Sequence, residues 1–73
     1  MEFNIRLKQI RKQRGLTQKE LGKMINTYHQ KIQRFESGKN EPDLKDFFNI
    51  CDVLNVSADY LIGFDNRLPF PKI

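Results

Sequence analysis

The chain has 73 residues and a mass of 8.7 kDa, enough for one small domain with a small core. Hydrophobic residues make up 38% and charged residues 30%, which is typical of a folded protein. The sequence has one cysteine and one histidine, which excludes an internal disulfide and the usual zinc cluster. The apolar runs are too short for a membrane span or a secretory signal, so we expect an intracellular, cytoplasmic protein without membrane attachment, metal or other cofactor.

Positive charge is concentrated in the first half of the chain. Residues 1–39 hold ten lysines and arginines against three acids, a net charge of +7, whereas residues 40–73 hold three basic residues against six acids, a net charge of −3. A basic half suits a polyanion, and nucleic acid is the most common one. The charge alone fits a merely solvated basic surface equally well.

Helix signals dominate the pattern, and no segment alternates apolar and polar residues long enough to predict a strand. Phe3, Leu7 and Ile10 recur at helical spacing and Gly15 follows as a helix-ending residue, which predicts a first helix near 3–14. Thr17 and Glu20 have the spacing of a capping box, which predicts the start of a second helix. Its expected inward-facing residues are Leu21, Met24 and Ile25.

A short turn separates the second helix from a third. Asn26 is suited to a left-handed turn residue, Thr27 is a candidate N-cap, and the third helix is expected to run to about Ser37 and end at Gly38. Two short helices joined so tightly cross at a steep angle, which leaves one face of the second exposed.

The remaining chain predicts two further helices and a tail. Asp43 caps a fourth helix that runs to about Leu54, and its apolar residues at helical spacing are Leu44, Phe47, Phe48, Cys51 and Leu54, with Cys51 expected in the core. Asn55 again suits a left-handed turn, and Ser57 caps a fifth helix at 58–62, which Gly63 ends. Two prolines lie in 64–73, so we expect residues 1–63 to form the domain and 64–73 an extended tail.

The third helix carries a polar face opposite its apolar side. Ile32 and Phe35 share one side, and the other side presents His29, Gln30, Gln33, Arg34 and Ser37. Glutamine pairs with adenine and arginine with guanine at base edges, so a helix with this face fits the major groove of DNA.

Three stretches of the chain resemble a known family. The chain is similar, over about residues 3–63, to the helix-turn-helix domain of lambda-type phage repressors and Cro proteins, the xenobiotic-response-element type. The matching stretches are Leu16-Thr17-Gln18-x-x-Leu21, Ile32-x-x-Phe35-Glu36-x-Gly38-Lys39-x-x-Pro42 and the run from Leu54 to Gly63. The resemblance implies an all-α, compact five-helix domain that binds double-stranded DNA, is usually dimeric and regulates transcription.

The resemblance also implies roles for individual residues. Base contacts fall on His29, Gln30, Gln33 and Arg34. Phosphate contacts fall on Gln18, Lys39 and Asn40. A buried ion pair that ties the first helix to the third falls on Arg11 and Glu36.

Two departures from the family pattern bear on these roles. Gly22 stands where the family usually has alanine, which we expect to weaken the second helix by about 1 kcal/mol. Tyr28 stands where the family often has a serine cap, which leaves open a one-residue shift in the start of the third helix. Whether Tyr28 packs against the protein or touches a sugar also stays open.

Several of these residues have a simpler interpretation as well. Gln30 could be the return arm of a capping box with Thr27, and Lys39 could merely complement the dipole of the third helix. Gln18 could be an exposed first-turn residue and His29 a surface residue without a role.

The leading hypothesis is a sequence-specific DNA-binding transcriptional regulator, a repressor of phage or mobile-element type that binds a palindromic operator as a dimer. The alternative is an antitoxin-like module that binds a protein partner and also its own operator. We do not expect an enzyme, because no nucleophile is paired with a base and no glycine-rich phosphate loop occurs. The expected dimer interface is the fifth helix and the tail, with Tyr60, Ile62, Phe64, Leu68 and Phe70; alternatively the tail covers its own core.

Overall fold

The computed structural model describes residues 2–63, which form five α-helices. They are α1 (Phe3–Gln13), α2 (Gln18–Met24), α3 (His29–Ser37), α4 (Leu44–Leu54) and α5 (Ala58–Leu61). The described part contains no strand, so the predicted all-α, five-helix architecture is confirmed. Within it, no helix has the length and apolar character to cross a bilayer. The predicted tail at 64–73 lies outside the described residues.

All five helices contribute to a single core. α3 packs against α1 and α2, whereas α5 packs against α1 and α4. The largest side chains that are completely shielded from solvent are Leu7, Ile10, Leu21, Ile32, Phe35, Ile50, Leu54 and Leu61. Each fully buried side chain of this size stabilises the fold by about 1.5–3 kcal/mol through the hydrophobic effect.

The helix ends follow most of the sequence signals. The backbone N–H of Glu20 donates to Thr17 Oγ1 at 3.0 Å and the Thr17 N–H donates to Glu20 Oε1 at 2.8 Å, which confirms the capping box. Asp43 and Ser57 cap α4 and α5 through their side chains, as predicted. Gly15 has a φ of 73° and ends α1 in a left-handed conformation that suits glycine.

The predicted start of α3 is wrong by one residue. The N-cap is Tyr28 rather than Thr27, because the Thr27 N–H donates to Gly22 O at 2.7 Å and so completes the end of α2. Without Thr27 as N-cap, its proposed capping box with Gln30 is also wrong.

Three residues expected on buried faces are exposed instead. Met24 is 50% exposed on α2, and Leu44 and Phe48 are 73% and 53% exposed on α4. The buried stripe of α4 consists of Ile50, Cys51 and Leu54, with the half-buried Phe47 packed against it. Apolar residues occupy two overlapping stripes on this helix, and periodicity alone could not choose between them.

Tyr60, which was expected on the dimer surface, is buried instead. The guanidinium of Arg6 lies 4.6 Å from the centre of its ring. A ring covered in this way is not available to a partner subunit, so Tyr60 is removed from the expected dimer surface, whereas Ile62 is 47% exposed.

Candidate nucleic-acid interface

Gly22 of α2 lies in close contact with the backbone that leads into α3. A Cβ atom built on Gly22 would lie 3.1 Å from both Thr27 O and the carbonyl carbon of Tyr28. The start of α3 therefore lies directly against α2, and a side chain at Gly22 would require this backbone to move by a few tenths of an ångström. Asn26 has a φ of 62°, which confirms it as the left-handed residue of the turn.

A buried network joins α1 to the start of α2 and to the last turn of α3. The Arg11 Nε donates to Glu36 Oε2 at 2.5 Å and the Arg11 Nη2 donates to Glu36 Oε1 at 3.0 Å, so the structure contains the expected ion pair. Arg11 Nη1 donates to Leu16 O at 2.7 Å, in the segment before α2. The two charged residues are only 7% and 8% exposed, and the bidentate contact compensates the desolvation of both charges.

Gln18 belongs to the same network. Its Nε2 donates to Glu36 Oε1 at 3.1 Å, so the first residue of α2 is connected to the last turn of α3. The side chain is half-buried rather than fully exposed. Because a primary amide carries two N–H donors, one remains for a ligand next to the N-terminus of α2.

The polar face of α3 is exposed and forms a shallow cleft with the loop after it. Gln33 and Ser37 line this cleft, together with Gln30, Arg34 and Lys39. A second cleft adjoins the first through Gln30 and Arg34, and Tyr28, Lys31 and Asn40 complete its lining. The structure therefore brings together all but two of the expected DNA-contacting residues, and the exceptions are Gln18 in the buried network and His29.

His29 is exposed at the first residue of α3 but lines neither of these clefts. Its place at the N-terminal end of the polar face still leaves it accessible to a ligand from the same side.

Lys39 and Asn40 are positioned by the end of α3. Both backbone N–H groups donate to Arg34 O, at 3.0 and 3.3 Å, after the left-handed Gly38 with a φ of 82°. Both residues are exposed, so their side chains can meet a phosphate. The proximity of Lys39 to the carbonyl end of α3 also satisfies the dipole interpretation, and the two roles are compatible.

The side-chain ammonium of Lys31 pairs with a carboxylate of α4. Its Nζ lies 2.9 Å from Asp46 Oδ2, and this hydrogen bond, with the attraction between the charges, raises the pKa of Lys31 above its ordinary value of 10.5. The positive charge of Lys31 is thus partly neutralised by the acidic half of the chain, which leaves Arg34 as the cation in the middle of the face.

Sequence reasoning missed the role of Arg14. Its Nε donates to Leu54 O at 2.7 Å and its Nη2 donates to Asn55 O at 3.3 Å, so it connects α1 to the end of α4. The available signal was its spacing, since residues three apart lie on neighbouring positions of a helix and Arg11 was already expected to point inward. No group of three metal-ligating side chains occurs among residues 2–63.

Comparisons with known proteins agree with this geometry. A family model described as helix-turn-helix matches residues 7–61. The uncharacterized HTH-type transcriptional regulator YqaE of Bacillus subtilis is 38% identical over 69 residues, which cover 93% of this chain and 60% of that protein. The HTH-type transcriptional regulator ImmR of the same bacterium is 34% identical over 65 residues, or 89% of this chain and 51% of ImmR. The chain thus spans between half and two thirds of these relatives.

Two further similarities extend over nearly the whole of the other protein. An uncharacterized HTH-type transcriptional regulator of Archaeoglobus fulgidus is 33% identical over 62 residues, which cover 85% of this chain and 89% of that protein. Among solved structures, the P22 c2 repressor in complex with a synthetic operator matches with a TM-score of 0.83 and 28% identity, covering 89% of this chain and 98% of the repressor chain.

Proposed function

We propose that this chain, which belongs to the helix-turn-helix family of the lambda-repressor and Cro type, binds double-stranded DNA in a sequence-specific manner and regulates transcription. The observation that carries the proposal is the exposed polar face of α3, held on α1 and α2 by the buried contacts of Arg11, Gln18 and Glu36. A rigid helix with amide and guanidinium groups on its outer side is suited to base edges in a major groove.

In the proposed complex, α3 lies in the major groove and α2 crosses the backbone beside it. Arg34, Gln30 and Gln33 face base edges, and His29 meets the groove at the N-terminal end of α3. Gln18 donates its second amide hydrogen to a phosphate, and Lys39 and Asn40 contact the backbone beyond the other end of α3. Phosphate contacts position the protein, whereas the base contacts carry the sequence preference.

We further propose a cytoplasmic repressor of phage or mobile-element type that binds a palindromic operator as a dimer. The similarity to the P22 c2 repressor in complex with a synthetic operator supports the repressor assignment. A single recognition helix contacts only a few base pairs, and a two-fold dimer doubles that number when its half-sites lie about 34 Å apart. The exposed Ile62 after α5 supports an interface at α5, and the proposed contribution of 64–73 concerns residues outside the described part.

The proposal is tested by selecting DNA from a random pool with the full chain. We expect one enriched motif with two-fold symmetry, bound with a steep negative dependence on salt because each neutralised phosphate contributes about −0.9 to the slope. Arg34→Ala should weaken binding by about 1–3 kcal/mol and relax the preference at one base position in each half-site.

Matched lysine variants separate positioning from recognition. Lys39→Ala should weaken binding to all sequences alike and reduce the salt slope by about 1, whereas Lys45→Ala, at an exposed position of α4, should leave the slope unchanged. A pool without enrichment, or equal effects of the two lysine variants, would contradict the proposed mode of binding.

A further inference from the structure

Tyr28 begins α3 without a side-chain cap, as Glu2 begins α1. α2, α4 and α5 each begin with a Thr, Asp or Ser whose side chain accepts a hydrogen bond from the first turn. Tyr28 is the N-cap of α3 and makes no such bond. Tyrosine lacks an oxygen within reach of the first turn, so α3 begins without the stabilisation that serine would supply.

The aromatic ring gains nothing from the protein core in return. Tyr28 is 76% exposed, the highest value among the large apolar residues exposed in residues 2–63. Tyr28 therefore neither caps its helix nor buries its ring, and it lies beside the candidate site. Residues that break local rules of stability in this way are often found at functional sites.

The position of Tyr28 indicates what the ring contacts. It lines the same cleft as Gln30 and Arg34 of the polar face and Asn40 of the following loop. In a docked helix-turn-helix, the N-terminal residues of the second helix point at base edges. The edge that an aromatic ring can recognise there is thymine, because its C5-methyl is the apolar group that a base pair presents in the major groove.

We propose that Tyr28 is a specificity-determining residue whose ring packs on the C5-methyl group of a thymine in each half-site. The inference rests on the proposed function and adds a preference that hydrogen bonding by Gln30, Gln33 and Arg34 does not supply. A methyl group packed against the ring contributes about fourfold to affinity, the equivalent of one buried methylene.

The test replaces thymine by uracil, which lacks only this methyl group, one position at a time in the selected site. Wild type and Tyr28→Phe, which keeps the ring, should lose about fourfold in affinity at one thymine of each half-site. Tyr28→Ser should bind thymine and uracil equally at that position and still require the remaining bases.

Tyr28→Ser also guards against a merely structural effect. Serine supplies the missing cap, so the variant should melt about 4–8 °C higher than wild type while binding its site more weakly. A higher melting temperature together with the loss of thymine preference supports the proposal. The same uracil penalty in Tyr28→Ser and wild type, or a selected motif without a preferred thymine, overturns it. Failure to select any motif would instead contradict the proposed function.

Discussion

Two connections between helices in this protein share a backbone pattern but differ in how the following helix is capped. The α2–α3 connection contains Asn26 with a φ of 62°, and the α4–α5 connection contains Asn55 with a φ of 53°. In both, the residue after the asparagine donates its N–H to a carbonyl five residues earlier, Thr27 to Gly22 O and Val56 to Cys51 O.

The difference lies at the next residue. Ser57 caps α5 by accepting a hydrogen bond from the Tyr60 N–H at 3.1 Å, whereas the equivalent Tyr28 leaves α3 without a side-chain cap. α5 has four residues and depends on its local cap, but α3 has nine and is fixed by its buried contacts. The position before α3 is therefore free to carry a residue chosen for its outer surface.

Each pair of helices is also held by an arginine near the C-terminal end of α1. Arg11 binds Glu36 in the last turn of α3 and Leu16 O before α2, whereas Arg14, the C-cap of α1, binds two backbone carbonyls at the end of α4. Removing one partner of a buried ion pair lowers the free energy of unfolding more than removing contacts to carbonyls, because the remaining charge stays desolvated. Substitutions at these two sets of contacts should therefore differ in how much stability they remove.

The largest effect is expected at Glu36. Glu36→Ala leaves Arg11 buried without its carboxylate and should lower the free energy of unfolding by about 3–5 kcal/mol, which is most of the stability of a domain this small. Urea or thermal unfolding measures it. Glu2→Ala, which removes a carboxylate that is 60% exposed and paired with Arg6, should cost no more than about 1 kcal/mol. Similar small losses in both variants would mean that the buried network does not hold α3.

A smaller loss is expected on the α4–α5 side. Arg14→Ala removes charge-assisted hydrogen bonds to Leu54 O and Asn55 O and should cost about 1.5–3 kcal/mol. Amide hydrogen exchange should accelerate in α5 more than in α3, since the variant loosens the end of α4. Lys12→Ala, at an exposed position of α1, is the control. Equal acceleration of exchange in α3 and α5 would contradict the idea that Arg11 and Arg14 hold different helices.

The comparison of N-caps gives a third prediction. Ser57→Ala should destabilise the protein by about 1 kcal/mol, because the first turn of α5 loses its acceptor. Tyr28→Ala removes no cap and should change stability by no more than about 0.5 kcal/mol. Melting temperatures of the two alanine variants decide the matter, and a larger loss at Tyr28 would show that its ring stabilises the folded protein.

The smallest effect is expected at Gly22. Alanine favours a helix over glycine by about 1 kcal/mol, but the added Cβ would lie 3.1 Å from the backbone of Thr27 and Tyr28. The turn must yield by a few tenths of an ångström, so Gly22→Ala should gain clearly less than the full helix-propensity difference. Unfolding in urea tests this. An increase of the full ~1 kcal/mol in the free energy of unfolding would show that the connection accommodates the added Cβ without cost.

The sequence predicted the five helices and most of their ends because these depend on local chemistry. Thr17, Asp43 and Ser57 cap their helices as expected, and Asn26 and Asn55 take the left-handed conformation. These outcomes need only residues within one turn of each other.

What the sequence did not predict depends on contacts between distant segments. The exposure of Leu44 and Phe48 follows from the orientation of α4 against the core, and the role of Arg14 follows from carbonyls forty residues away. At the candidate site, the polar residues of α3 could be named from the helical wheel. The attachment of Gln18 to Glu36 could not, because it depends on how α2 crosses α3.

The hydrogen bond between Gln18 and Glu36 has a consequence for the proposed complex. It joins the residue of α2 that we propose contacts a phosphate to the helix that we propose contacts bases, so in that complex the spacing between the two kinds of contact is set before DNA binds. Little conformational entropy is then lost on association. If α2 and α3 keep this fixed arrangement, the DNA has to adapt its groove width and curvature to them. DNA sequences that deform easily should then bind more tightly, even where they differ only at base pairs that no side chain touches.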